Sequence, residues 1–230
     1  MFSLPDTLDV STLLGSTSPS RNKIAQRALR RMLLANPDLC NVCLNQCYTA
    51  NEATADAYFH VLSEVCARLL ARDEPQKASR PALITLVLYK IIHPNEAVRN
   101  DALELLHTVV ECNWGGEAKA LGLGELTAAL KNRFVVIGQL QDSYQMFQVE
   151  LSSQLARQHP ELSEDLCVEM MTRQLDSEHS STQHHVLQCL KPWMENLVFS
   201  KKWEGQWTER LLKCLYYVTW KHGQVRYTFR

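Results

Sequence analysis

Residues 79–111, SRPALITLVLYKIIHPNEAVRNDALELLHTVVE, constrain the chain more than any other stretch, because they read as two helices back to back across a very short turn. In the first, Leu83, Ile84, Leu86, Val87, Leu88, Ile91 and Ile92 leave only Thr85, Tyr89 and Lys90 to face water. A helix that is apolar almost all round has to be buried between neighbours. The second is one-sided. Val98, Ala102, Leu105, Leu106 and Val109 recur at helical spacing, with Arg99, Asn100, Asp101, Glu104 and Thr108 opposite. Pro94 cannot continue the first helix and suits the first turn of the next, and Asn95 supplies a capping side chain.

This unit resembles the repeat of HEAT-type α-solenoids. The residues that carry the likeness are Pro81-x-Leu83-Ile84, the turn at 93–96, and Val98-Arg99-x-x-Ala102-Leu103-x-Leu105-Leu106. HEAT repeats usually place an Asp before the turn proline, paired with the Arg of the second helix in a ladder along the array. Here that place is His93, which puts a ladder role for Arg99 in question. Repeat arrays act by presenting surface, so function is to be sought in partners.

Composition agrees with an all-α chain. Only 8 Gly and 8 Pro punctuate 230 residues, 46% of them hydrophobic, and the apolar run at 135–137 is too short to carry a sheet. The net charge of −1 leaves no global basic footprint for nucleic acid and no polybasic helix for a membrane surface. The longest apolar run, Pro81 to Ile92, falls short of the roughly 20 residues a bilayer requires. The first twenty residues lack early positive charge and carry Asp6 and Asp9, unlike a secretory or mitochondrial leader, and the 8 Cys sit mainly within helical apolar patterns, as free thiols do in a reducing compartment. A cytoplasmic location is therefore expected.

Taken in order, residues 1–20 read as a flexible lead-in rich in Ser, Thr, Pro and Gly. From Asn22 to Leu34 an amphipathic helix places Ile24, Ala28, Met32 and Leu33 inward and Arg21, Lys23, Arg27, Arg30 and Arg31 outward. That cluster reads as a solvated face, with contact to phosphates or acidic partners as the alternative. Asn36-Pro37-Asp38 opens a short helix, and another runs from about Glu52 to Arg72 with Ala55, Phe59, Leu62, Val65, Cys66 and Leu69 inward. A loop at 113–124 marks a soft boundary. Beyond it lie helices around 125–138 and 142–158, one opened by His159-Pro160, one in which Pro192 is expected to kink or end the helix, and a last one closing near Gly223, before a tail at 224–230. The expectation is a HEAT/armadillo-like α-solenoid over 21–223, of about nine or ten antiparallel helices.

Catalytic and metal signatures are weak. Cys40, Cys43 and Cys47 fall along one helix face, and with His60 or Cys66 they offer the four donors of a zinc site, yet Leu39, Val42, Leu44 and Tyr48 are interleaved and Cys packs well in cores. His184 and His185 diverge by about 100° on a helix and do not chelate together. Gly115-Gly116 and Gly122/Gly124 lack the Lys-Ser/Thr and the preceding strand of a phosphate loop. A nucleophile elbow is absent, and no Cys–His pair carries a local signature. Trp193, Trp203, Trp207 and Trp220 read as wedges between helices, or as a partner hot spot. No enzymatic activity, metal or cofactor is expected.

Five stretches in order, RALRRMLLANPDLCNVCLNQCY, ADAYFHVLSEV, ALITLVLYKIIHPNEAVRNDALELL, HHVLQCLKPWMENL and LLKCLYYVTWKHG, resemble the Furry family of cell-morphogenesis proteins from about Arg27 to Gly223. The resemblance implies a segment or short product of a long HEAT/armadillo-like scaffold. It also implies partners, namely NDR-type kinases and Mob coactivators, in polarised growth and neurite patterning, at the cortex or on microtubules. An independent HEAT-type adaptor in vesicle or nuclear transport is the competing reading. The candidate protein-contact row is Arg99, Asn100, Glu104 and Thr108 on the second helix of the central pair.

Overall fold

The computed structural model describes residues 12–16, 18–71, 79–111, 140–174 and 180–199. Its elements are helices: α1 Pro19–Ala35, α2 Leu39–Thr49, α3 Glu52–Ala71, α4 Arg80–Lys90, α5 Glu96–Glu111, α6 Leu140–Gln158, a 3₁₀ turn Pro160–Leu162, α7 Ser163–Gln174 and α8 Ser180–Phe199. No strand occurs among the described residues, as the sequence pattern leads one to expect. The loop at 113–124, the helices expected near 125–138 and 207–223, and Trp203, Trp207 and Trp220 lie outside the described residues. Backbone contacts divide the chain into two compact units, residues 1–136 and 137–230.

In the first unit α3 packs on α1, α2 and α5, and α4 packs on α5. Its core is the inward stripe read from the sequence: Ala55, Phe59, Leu62, Val65, Cys66 and Leu69 of α3 are all buried. So are Val98, Ala102, Leu105, Leu106 and Val109 of α5. Each fully buried Leu, Val or Phe contributes about 1.5–3 kcal/mol relative to exposure, so this shared seam is a substantial part of the unit's stability. Short polar side chains start the helices. Asn51 Oδ1 accepts from Thr54 N at 3.0 Å, Ser79 Oγ from Ala82 N at 3.3 Å and Asn95 Oδ1 from Ala97 N at 2.9 Å.

Two helices depart from their sequence pattern. Thr85 and Lys90 were expected at the surface, but α4 is enclosed on every side: Thr85 is buried, and Lys90 is only 3% exposed. Tyr89 alone of the three is half-buried, its ring tilted against Tyr48 with centroids 5.0 Å apart. On α1 the inward face is rotated by one residue. Ala25, Leu29 and Leu33 are buried, whereas Ile24 is 62% exposed and Ala28 is exposed too. The helix starts at Pro19, with Leu14 already buried before it; Asn22 Nδ2 donates to Leu14 O at 2.7 Å and ties the lead-in to the first turn.

The second unit packs α6 and α7 against α8. Phe147, Leu151 and Leu155 of α6 face Val186, Leu190 and Trp193 of α8 as buried residues of one core. Pro192 does not end α8, which continues to Phe199. A proline removes one backbone donor and costs an isolated helix about 3 kcal/mol, and here burial of Cys189, Leu190, Trp193 and Leu197 on either side of Pro192 offsets that loss.

Candidate protein-contact surface

α5 positions the candidate row because its opposite face is fixed in the core. Asn100 and Glu104, one turn apart, are exposed on the solvent side, and Arg99 and Thr108 flank them half-buried. The Thr108 hydroxyl donates to Glu104 O at 2.8 Å and is therefore folded back onto its own helix. Arg99 is engaged at the turn, where its Nη1 donates to His93 O and to Pro94 O, each at 2.7 Å. Those carbonyls belong to the connection between α4 and α5, so the guanidinium closes the turn rather than facing outward with Asn100 and Glu104.

His93, before the turn proline, joins the turn to α3. Its Nδ1 accepts from Asn95 N at 3.2 Å, which leaves the proton on Nε2. Nε2 lies 3.4 Å from Asp56 Oδ1 and 3.5 Å from Glu52 Oε1, both on α3. Burial lowers the His93 pKa, with Asp56 pulling the other way. This turn is held by Arg99 on its carbonyls and by His93 beside the carboxylates of α3.

The four described thiols of the first unit are core groups. Cys40, Cys43, Cys47 and Cys66 are all buried; Cys43 Sγ donates to Tyr58 O at 3.7 Å and Cys47 Sγ to Cys43 O at 3.3 Å. A hydrogen bond with Cys47, reinforced by burial, pushes the Cys43 thiol well above its usual value, and a hydrogen bond with Cys40 does the same to Cys66. His60 is engaged elsewhere: its Nδ1 lies 2.8 Å from Asp101 Oδ2, bridging α3 and α5 at the surface. That hydrogen bond raises the His60 pKa. Among the described residues no group of three or more His, Cys, Asp or Glu is arranged to hold a metal ion.

A buried polar seam between α6 and α8 escaped the sequence reading. Ser152 Oγ donates to Cys189 O at 2.7 Å and accepts from Trp193 Nε1 at 2.9 Å, while His185 Nε2 pairs with Gln148 Oε1. Asn196 Nδ2 extends the seam to Ala156 O at 2.7 Å and Ser163 Oγ at 3.1 Å. Cys189 Sγ lies 3.9 Å from His185 Nε2, the one Cys–His approach of this seam. Burial pushes that thiol up to about 12, so it stays a protonated core group rather than a nucleophile. The only sequence signal for the seam is polar residues at helical spacing within apolar faces, which also fits an exposed edge.

No described helix is long and apolar enough to cross a membrane. A family model described as the cell morphogenesis central region matches residues 15–227, which contain the whole of the resemblance read above from about Arg27 to Gly223. The chain belongs to the cell morphogenesis central region family, a domain of the Furry proteins.

Proposed function

We propose that this chain is a non-enzymatic segment of a HEAT/armadillo-like α-solenoid that presents helical surface to protein partners in cell morphogenesis and polarised growth. Membership of the family carries the reading. It is supported by an α5 whose apolar side is committed to the core while Asn100 and Glu104 stay open to a partner. The partner class that the family resemblance favours is an NDR-type kinase with its Mob coactivator, and the setting is the cytoplasm, at the cortex or on microtubules. Arg99 and Thr108 frame the contact row, and Asn100 with Glu104 forms its reachable centre.

The test is capture of a purified kinase–coactivator complex by the immobilised chain, with the double variant Asn100→Glu/Glu104→Lys beside the wild type and a thermal melt of each. Both positions are exposed, so the melt should stay within about 0.5 kcal/mol of wild type. Weakened capture with an unchanged melt supports this docking face; undiminished capture excludes it.

A further inference from the structure

The outward face of α1 has no role in the reading above. The helix carries Arg21, Lys23, Arg27, Arg30 and Arg31 and not one Asp or Glu along Pro19–Ala35. Arg30 is used internally, paired with Glu64 of α3, and Glu64 also takes Arg68 at 3.1 Å. The remaining four, Arg21, Lys23, Arg27 and Arg31, are exposed and form no ion pair among the described residues. They surround Ile24, 62% exposed, and Ala28 on the same outward side. In a chain of net charge −1 this is a concentrated departure, with four cations over about 15 Å of helix.

We propose that this face of α1 docks an acidic peptide segment of a partner protein, its carboxylates on Arg21, Lys23, Arg27 and Arg31 and one aliphatic side chain against Ile24 and Ala28. Charge complementarity sets the sign, and the guanidinium forks favour carboxylates. The apolar detail separates a peptide from the other anionic surfaces. A helix lying in a lipid surface needs a broad bulky apolar face, and that of α1 is spent on Ala25, Leu29 and Leu33 in the core. Single-stranded nucleic acid is gripped by aromatic side chains, and α1 has none. A small aliphatic spot ringed by cations matches an acidic sequence with an embedded Leu or Ile.

The test uses the 230-residue chain and a fluorescein-labelled glutamate-rich peptide carrying one leucine, read by anisotropy at low and moderate salt. Binding is expected, weakening as salt rises. Replacing Arg21, Lys23, Arg27 and Arg31 together by Gln should weaken it roughly tenfold or more. Ile24→Ser should weaken it about threefold and abolish the preference over the same peptide with Ser in place of Leu. A thermal melt of each variant controls for folding, and if the fourfold variant melts early, the Arg27→Gln/Arg31→Gln pair is read instead. Equal binding by the Gln variants overturns the proposal. So does tighter capture of RNA or of phosphatidylserine vesicles than of the peptide, or a concentration-dependent dimer of this chain that Ile24→Ser dissolves.

Discussion

Lys90 Nζ sits 2.9 Å from Asp56 Oδ1, so the ammonium that the sequence pattern assigns to water is a buried bridge between α4 and α3. The same ammonium lies 5.9 Å from the centre of the Phe59 ring and 5.7 Å from that of Tyr89, which adds aromatic faces to its surroundings. Asp56 also meets His93, so one carboxylate anchors both the end of α4 and the turn that follows it.

Breaking this pair from one side leaves a buried charge without its partner. Lys90→Met should cost about 3–5 kcal/mol, and Asp56→Leu a comparable amount. The double variant Lys90→Met/Asp56→Leu should recover much of the loss, because no charge is stranded. Urea titration of the four proteins forms a double-mutant cycle. Additive losses would show that the two groups act independently.

Where the sequence was legible and where it was not follows from the reach of each interaction. The stripes of α3 and α5 repeat over three or more turns with one consistent face, and each of their inward residues is buried. In α1 two apolar stripes lie one residue apart, Ile24/Ala28/Met32 and Ala25/Leu29/Leu33, and helical spacing alone fits both. The folded chain buries the second and pairs Arg30 with Glu64, a partner 34 positions away that no local pattern reveals. Lys90 was misplaced for the same reason: its partner Asp56 is 34 residues earlier. The α6–α8 seam joins Ser152 to Trp193, 41 residues apart, and no local pattern marks it. Of the candidate row, Asn100 and Glu104 are exposed as the helical pattern places them, but the carbonyls that occupy Arg99 depend on the turn's folded shape.

The His60–Asp101 bridge makes a pH-dependent contribution. The hydrogen bond to Asp101 raises the His60 pKa, helped by the charges of Asp101 and Glu64 and opposed by burial and Arg30. Folding therefore favours protonated His60. Its contribution is fully present below the usual value near 6.5 and fades as pH rises through the higher folded value. His60 is half-exposed, so solvent screening keeps the effect under about 1 kcal/mol. Subtracting the melting curve of Asp101→Asn from that of wild type across about pH 5–8 should show a difference that shrinks toward the alkaline end. A difference that grows with pH would contradict the bridge. His93, whose pKa burial lowers, titrates in the opposite sense but in both proteins, and so cancels.

The Cys40, Cys43, Cys47 and Cys66 set should behave as packing. Cys43→Ala should cost about 1–2 kcal/mol, a small cavity's worth. Cys43→Asp should be several kcal/mol worse, because it places a carboxylate beside Cys47 and Tyr58 O with no cation among them. Cys43 and Cys66 should react with an aromatic disulfide reagent only as fast as the unit opens, since their raised values leave almost no thiolate. Stoichiometric zinc in wild type that is lost in Cys43→Ala would replace this packing account with a metal site.

Arg99 is where stability and docking are easiest to confuse, and the two bonds from its Nη1 allow them to be separated. Removing the guanidinium takes donors from His93 O and Pro94 O at the turn between α4 and α5. The site is half-buried and water can replace part of what is lost, so Arg99→Ala should cost about 1–2 kcal/mol. Arg99→Glu should cost more, because it sets a carboxylate against two carbonyl oxygens. Glu104→Lys, one turn further on the exposed side, should leave the melt unchanged. Thermal melts of the three variants decide the matter: if Arg99→Ala melts with wild type, the turn does not depend on the clamp. If it melts early while Glu104→Lys does not, any loss of partner capture in Arg99 variants reports a loosened α4–α5 turn, and the docking surface has to be mapped through Asn100 and Glu104.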